Sequence, residues 1–526
     1  MKPIIKVALI ALLWITVIQS GRIDTIDTIL RLQMAHAWWT GTEEVAPDVQ
    51  PSSWQDPSAG VIGVGGKRYI TYDVGQSLLM LPGDWLGTKL HQSFPKLGLE
   101  DMRYLVVNFL IFLPLNVAAV VSCFWLLRLF NFEEQIAGLT SIVWLISTTV
   151  LHYAQVPFQN NQVLLFVTIG YAAALACIRH GRPRFALISG LALGAALLIR
   201  MTSVIHILTV FLFLVGCITY QSRDKLKVLK IVRQWIVGFI PLAFLGRFFD
   251  YIRYGSLWTT GASLAQQQFN TDPVYASLPE RPANFPFTNP PHVGILGVLF
   301  SPAKSIFLYD PLLLPCLVLG IVLWKKLSPY IQLYLVICIF NLGLHLVLTS
   351  QVDFWHGDWA WGARYHVTSV HLLLIPLIAL FIQRVLFTKG LTVWLMRGIL
   401  TLAIIVQIAS VTMPLGLEIT SAQVMADKTP RYLQFRLGQR LTNIACLVNS
   451  SFSQKCINRL NPDQQLRLEE VNKVSFLPFG FSRKAASNPA LVKLSPILFV
   501  LWGLVLALAI GTTLWYGLSI WASGMT

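Results

Sequence analysis

Charge is what this sequence has least of. Only 12% of its 526 residues are Asp, Glu, Lys or Arg, while 55% are hydrophobic. A soluble domain carries about 25% charged residues, so the composition excludes an ordinary water-soluble globule. Acids are the scarcer sign, 24 against 40 bases, and the net charge is +16. That surplus is no nucleic-acid footprint. The bases fall mainly in short loops between apolar runs, where positive charge stays on the inner side of a membrane. Cysteine is sparse too. Cys123, Cys177, Cys217, Cys316 and Cys338 sit inside apolar runs, where a thiol packs as a small hydrophobe. Cys446 and Cys456 lie in a long polar segment, as two free thiols or, in an oxidising compartment, as a disulfide. The acids show no recognisable metal-ligand spacing, which names no metal and leaves metal dependence open.

Long apolar runs are what the chain has in plenty. At roughly 17–25 residues per span they give about twelve transmembrane helices. Their cores are 3–20, 104–127, 136–151, 161–178, 185–199, 203–220, 234–250, 306–324, 330–350, 366–383, 391–413 and 495–520. The first run follows a basic start, but Val17-Ile18-Gln19-Ser20 is a poor cleavage site, so it is read as an uncleaved span. With Lys2 and Lys6 inside, every short basic loop falls on the same side. Those loops hold Arg128, then Arg179 to Arg184, Arg223 to Arg233, Lys325 with Lys326, and Arg384 with Lys389. Segments 21–103, 251–305, 351–365 and 414–494 then face outside. The expected fold class is an all-α polytopic membrane protein. Its main transmembrane region is 1–413, followed by an outer segment 414–494 and a last helix with its tail at 495–526. Most acids, aromatics and His lie in the outer segments, so function is expected at that face.

The first outer segment opens with "GRIDTIDTILRLQMAHAWWTG". Ile26, Ile29, Leu30, Met34, Ala37 and Trp38 recur at helical spacing. This helix is too short and polar to span, so it should lie in the interface with Trp38 and Trp39 at headgroup level. Asp24 and Asp27 stand at its start, where a helix N-terminus favours anions. The plain reading is that they only cap the helix. "GGKRYITYDVGQSLLMLPGDWLGTKL" then reads as a turn, a short extended piece and a second interfacial helix. Lys67, Arg68, Tyr69, Tyr72 and Asp73 cluster beside its Gly pair, as any solvated turn could arrange them.

Further along, Lys304 and Asp310 open a span, a depth at which ionisable groups are functional candidates by default. A snorkelling Lys is the plain alternative. Arg200 and Arg364 are cations at the outer boundary that suit a distant acid or an anionic ligand. Arg364 lies near the end of "DFWHGDWAWGARY". Trp355, Trp359 and Trp361 in that stretch could be an aromatic belt. A belt does not require Asp353, Asp358 and Arg364 between the rings. Arg suits bidentate phosphate recognition, and aromatic faces suit a sugar ring. Carboxylates, cations and aromatic platforms together fit transfer of a glycosyl group from a lipid phosphate.

Those stretches also carry a resemblance. The chain resembles GT-C membrane glycosyltransferases, above all bacterial relatives of the protein O-mannosyltransferase and lipid-A aminoarabinose transferase group. "DTILRLQMAHAWWTG" offers an acid and an Arg after the first span, Asp27 and Arg31. "YITYDVGQSLLMLP" is similar to Tyr-x-x-Tyr-Gly-x-Gly-Gln-x-x-Leu-x-x-Leu-Pro, with Asp73-Val74 in place of the first Gly and its neighbour. "YIRYGSLWTTG" and "LFSPAKSIFLYDP" are similar to Arg-Phe-Gly-Ser and Ser-Pro-x-Lys-Gly-x-Phe-x-Tyr-x-Pro, with Ser305 where Gly is usual. "DFWHGDWAWGARY" resembles Trp-x-Gly-Gly-x-x-Trp-Gly-Pro-Arg-Tyr, with Asp358 and Ala363 at Gly and Pro positions. The matches run in order over about residues 20 to 370.

The resemblance implies a GT-C-like helical bundle, a polyprenyl-phosphate sugar as donor, and an acidic base in the first outer loop. It puts that base at Asp27, with Asp24 second. An inverting single displacement follows, with Arg364, Lys304 and Arg200 expected at the donor phosphate. Trp355, Trp359, Trp361, Tyr69, Tyr72, Asp73, Gln76 and Tyr365 are expected to bind sugar or lipid. A soluble nucleotide-sugar donor is not expected, because no Gly-rich phosphate loop opens on the inner side. The motif style suggests a bacterial cytoplasmic membrane with the site facing out. The acceptor is a glycan, lipid or protein hydroxyl, left open like the sugar. A transporter or flippase is the rival class, although matching halves with interrupted helices are missing. A catalytically silent subunit is the third reading. The stretch beginning "RYLQFRLGQRLTNIACLV" is expected to form a helix and then a Cys-closed loop. It would serve acceptor recognition or pack over the active site.

Overall fold

The structure, a computed structural model, describes residues 2–523 apart from 54–55, 222–223, 280–283, 418–419, 421–422, 424–428, 449–462, 464–472 and 486–488. Its main helices run α1 (Pro3–Ile18), α2 (Ile26–Thr40), α3 (Gly75–Ser93), α4 (Leu99–Val107), α5 (Leu113–Leu129), α6 (Glu134–Ile146) and α7 (Val150–Gln155). Then come α8 (Asn160–His180), α9 (Arg184–Ile199), α10 (Val204–Gln221), α11 (Lys225–Tyr254), α12 (Gly261–Gln268), α13 (Pro291–Phe300) and α14 (Ile306–Tyr309). The last are α15 (Leu313–Val322), α16 (Pro329–Ser350), α17 (Val367–Phe387), α18 (Leu391–Thr412), α19 (Arg436–Val448), α20 (Leu477–Ala485) and α21 (Ser495–Ser523). The described strands are one hairpin, β1 (Val61–Ile62) antiparallel to β2 (Arg68–Tyr69), with Val61 opposite Tyr69.

Among the described residues, eight helices are long and apolar enough to cross a membrane. With the shorter apolar helices α1, α6, α9 and α15 they account for every expected span. The protein is an all-α polytopic membrane protein. The apolar helix α13 had no counterpart in the sequence reading. The chain forms two compact units, one of 1–24, 113–156 and 289–526, the other of 25–112 and 157–288.

In the first unit α17 is buried along nearly its whole length and packs on α5, α6, α15 and α16. A helix apolar all round belongs in such a position. α21 is largely exposed and is held to α1 by two indoles. Trp14 Nε1 donates to Thr513 Oγ1 and Trp502 Nε1 to Val17 O, both at 2.9 Å. Two expected spans, 136–151 and 306–324, are broken, and each break satisfies the other. After α6, Ser147 and Thr148 return their hydroxyls to the carbonyls of Val143 and Trp144, each at 2.6 Å. Asp310, which ends α14, accepts the Thr149 N–H at 2.8 Å and the Thr149 hydroxyl at 3.0 Å. His371 Nε2 lies 3.3 Å from the same carboxylate. Backbone freed inside a membrane must be met by protein, and that is the task of Asp310.

In the second unit α9 and α11 lie backbone to backbone. A Cβ on Gly190 would stand 2.0 Å from Trp235 O, and one on Gly238 2.1 Å from Leu187 O. Gly190 and Gly194 form the small-xxx-small pattern that lets membrane helices approach closely. Replacing Gly190 by Leu should therefore destabilise the fold by about 3 kcal/mol, the upper end for overpacking. Gly343→Leu is the control, because a Cβ there meets nothing within 4 Å. Thermal unfolding of both variants in detergent checks the difference, and equal midpoints would refute it.

Candidate functional site

In the second unit the start of α2 meets the start of α3. Thr25 is the extended residue before α2, its side chain makes no cap, and Asp27 lies in the first helical turn. The Tyr72 phenol donates to Asp27 Oδ1 at 2.6 Å. One turn later the buried Arg31 returns Nη1 to Asp27 O at 3.1 Å, and its guanidinium lies 3.8 Å from the Tyr72 ring centre. Thr28 Oγ1 and Gln76 Nε2 both donate to Pro157 O at 2.9 Å, and Ser77 Oγ donates to Arg31 O at 2.8 Å. The half-buried Asp27 carboxylate is thus gripped by a phenol and flanked by a cation. A charge-assisted bond of this length holds a carboxylate in one orientation. Tyr72 was expected at sugar or lipid and instead touches Asp27. Gln76, expected there too, is fully buried and ties α3 to the bend at Pro157.

Asp73, the next residue, has a different partner. Its Oδ2 accepts the N–H of Met201 at 2.9 Å, directly after Arg200. The approach is close because Gly75 has no side chain: a Cβ there would lie 2.5 Å from Ile199 N. Burial raises the Asp73 carboxyl above its ordinary value, against the lowering influence of Met201 N–H and of Arg31, Arg247 and Arg200. Its side chain keeps some accessible surface. A carboxyl raised in the fold binds its proton more tightly there than in the unfolded chain. The stability tied to it is complete below the ordinary carboxylate range, about pH 4, and is lost as pH rises through the raised value. Asp73→Asn keeps an acceptor for Met201 and removes the titration. The variant should melt higher than the parent at pH 7, with the gap closing below about pH 4. A melting series in detergent across that range checks it, and a gap independent of pH would count against it.

Arg247 and Asp250 complete this cluster as an ion pair at 2.6 Å on α11. Nothing in the sequence reading singled them out, although their i,i+3 spacing on one helix face was available. Tyr69, expected with the sugar-binding residues, packs among residues at the end of α11. Its ring is 6.3 Å from that of Tyr254 and 5.7 Å from the Arg253 guanidinium. Trp38 and Trp39 direct their indole N–H groups onto buried acids, Glu44 at 3.1 Å and Asp84 at 2.8 Å. Asp84 also accepts from His36 and Arg103, which joins α2, α3 and α4. Asp24 falls in the first unit, where the protein around it raises its carboxyl above the ordinary value against the lowering influence of Arg22 and Lys484.

In the first unit the loop 351–365 is folded by buried cations. Lys304 is fully buried, and its Nζ donates to Asp358 O at 2.8 Å and Ala360 O at 2.6 Å. Arg436 of α19 donates to the same two carbonyls at 3.2 and 3.3 Å. Arg440, one turn on, donates to Ser410 O and Met413 O at the end of α18 and lies 4.9 Å from the Trp361 ring centre. Cations belong at a helix C-terminus, where carbonyls lack partners. Lys304 was expected at a phosphate; the geometry makes it a support of this loop. Trp355 and Trp361 are 2% and 1% exposed and form core contacts, so neither offers a face to a sugar. Trp355 packs where Gly297 leaves room, and Trp361 stands edge-on to Tyr309 at 4.7 Å.

Trp359, Arg364 and Tyr365 keep accessible surface. Arg431 and Arg436 each lie 4.9 Å from the Trp359 ring centre, and Arg431 pairs with Asp358. Asp358 has φ +53°, beside Gly357 at +62°. Asp tolerates this left-handed region better than most residues, which explains how it can stand where the similar motif has Gly. His356 is pushed down to about 3 by burial and by Lys304, Arg431 and Arg436, so it is neutral. Its Nδ1 accepts the Asp358 N–H at 3.0 Å, which puts the ring proton on Nε2. The sequence reading missed Arg436 and Arg440; their i,i+4 spacing in "RLGQR" was the available signal.

Cys446 is disulfide-bonded, while Cys456 lies outside the described residues. Among the described residues no group of three or more His, Cys, Asp or Glu is placed to hold a metal ion.

No protein-family model and no curated protein matches the chain. Among solved structures it is similar to the Archaeoglobus fulgidus oligosaccharyltransferase in its apo form, at 12% identity and TM-score 0.44. That likeness covers 82% of this chain and 59% of the other, so the chain spans less than two thirds of the oligosaccharyltransferase. It is also similar to ArnT from Cupriavidus metallidurans in the apo state, at 12% identity and TM-score 0.46, over 99% of this chain and 76% of that one. At these values neither likeness carries an argument about function, which has to rest on the residues.

Proposed function

We propose that the protein is a membrane glycosyltransferase of the GT-C kind. It moves a sugar from a polyprenyl-phosphate donor to an acceptor hydroxyl at the outer face. The observation that carries this reading is the Asp27 carboxylate, held by the Tyr72 phenol at 2.6 Å and flanked by Arg31, directly after the first apolar helix. A carboxylate fixed in this way is suited to take a proton from a hydroxyl.

In the proposed reaction Asp27 accepts the proton of the acceptor hydroxyl. The acceptor oxygen attacks the anomeric carbon on the face opposite the phosphate. The bond from that carbon to the phosphate oxygen breaks, and polyprenyl phosphate leaves with the bonding pair. Arg200, in the same unit as Asp27, is assigned to the charge that grows on the leaving group. The outer location is supported by the basic loops, which alternation puts on one side. The disulfide at Cys446 also suits an oxidising compartment. We assign the protein to a bacterial cytoplasmic membrane, with the acceptor a glycan, lipid or protein.

The test is sugar transfer in membranes from a panel of radiolabelled polyprenyl-phosphate sugars. Transfer from at least one donor supports the reading. No transfer from any donor, with the protein present and folded, removes it.

A further inference from the structure

Two charged side chains of the second unit are almost completely buried. Glu44 is 6% exposed and Arg253 2% exposed, and Arg253 Nη2 lies 3.0 Å from Glu44 Oε2. Burying an ion pair is costly unless the geometry is good and further hydrogen bonds are made. Here those bonds converge on one short stretch of backbone. Glu44 Oε2 accepts the Ile70 N–H at 3.0 Å. Arg253 donates to Ile70 O and, at 3.2 Å, to Tyr72 O. The Tyr254 hydroxyl adds a donor to Ile70 O at 3.1 Å, and Trp38 Nε1 holds Glu44 Oε1 at 3.1 Å. Gly261 closes in from another side, where a Cβ would stand 2.3 Å from Thr71 O.

Ile70 is fully buried, and an apolar contact would anchor the chain there without any ion pair. What the pair adds is a fixed height and direction for the backbone at Tyr72. That residue ends on Asp27 and covers Arg31. We infer that Glu44 and Arg253 are positioning residues, which hold the Ile70–Tyr72 backbone so that the Tyr72 phenol stays on Asp27. The inference rests on Asp27 as the base. Neither residue touches the acceptor in this scheme; both act through Tyr72.

The experiment is a cycle of variants of the full-length protein in membranes: Tyr72→Phe, Glu44→Gln and the double variant, with Asp27→Asn beside them. Glu44→Gln should slow turnover by about ten- to a hundredfold, the scale of a small misplacement, with KM for the lipid donor little changed. The acid limb of its pH–rate profile should move to higher pH, as in Tyr72→Phe, since a carboxylate that loses a donor takes up its proton more readily. The double variant should be no slower than Tyr72→Phe alone, because both changes remove one coupled contact. Additive losses, or a slowed variant with an unmoved acid limb, would overturn the inference. Should Glu44→Gln not fold, Trp38→Phe replaces it in the cycle, since it frees Glu44 Oε1 and keeps the ion pair. Amide exchange over Ile70–Tyr72 without substrate must quicken in the Glu44 or Trp38 variant, and unchanged exchange refutes the brace. Full activity in Asp27→Asn would instead remove the base and leave the brace to be judged by exchange alone.

Discussion

Asp27→Asn is expected to lower sugar transfer by roughly 10²- to 10⁴-fold, the range for loss of a general base, with the protein still folded. The change is nearly isosteric. The amide oxygen can still accept the Tyr72 phenol, and the Arg31 bond goes to the Asp27 backbone carbonyl. What disappears is the negative charge and with it the basicity. Transfer measured beside thermal unfolding at equal expression separates the two effects. Asp24→Asn is the matched comparison: Asp24 takes no part in the bonds among Asp27, Tyr72 and Arg31, and transfer by this variant should stay within about twofold. Asp27→Asn with parental turnover would end the assignment, and a loss in Asp24→Asn would move the base to that residue.

The transmembrane helices were legible because an apolar run long enough to cross a bilayer is itself the signal. The breaks inside two of them were not. The break after α6 is stabilised by Asp310, 161 residues away from Thr149, and no local pattern encodes that pairing. Asp27 could be found from its place at the start of a helix that follows a span. Its partner Tyr72 was legible only as one of several aromatics near a turn, because the sequence does not say how the segment before α3 lies against α2. Glu44 and Arg253 were missed as a pair. They are 209 residues apart, and an acid in a polar loop reads as solvated until the fold buries it. In the 351–365 loop the tryptophans were legible as a group but not individually. Burial separates them, and it follows from cations on α19 that pull the loop carbonyls inward.

Lys304→Met is expected to destabilise the fold by about 3 kcal/mol, since a hydrogen bond from a charged group contributes about 1.5–3 kcal/mol and two are lost. The side chain is fully buried, so Met can occupy its apolar volume. The carbonyls of Asp358 and Ala360 would keep Arg436 at 3.2 and 3.3 Å but lose the shorter bonds from Lys304 at 2.8 and 2.6 Å. Those bonds hold a turn with two consecutive left-handed residues, Gly357 and Asp358. A turn of that kind persists only while its surroundings fix it. Thermal unfolding in detergent should show the drop, and amide exchange should rise across 351–365 before it does elsewhere. A lysine that bound the donor phosphate would behave differently. Its loss would raise KM for the lipid donor and leave the melting midpoint in place, because a ligand's cation does not hold the empty fold together. A lowered midpoint with parental KM in the surviving protein assigns Lys304 to the loop. An unchanged midpoint with raised KM returns it to the phosphate.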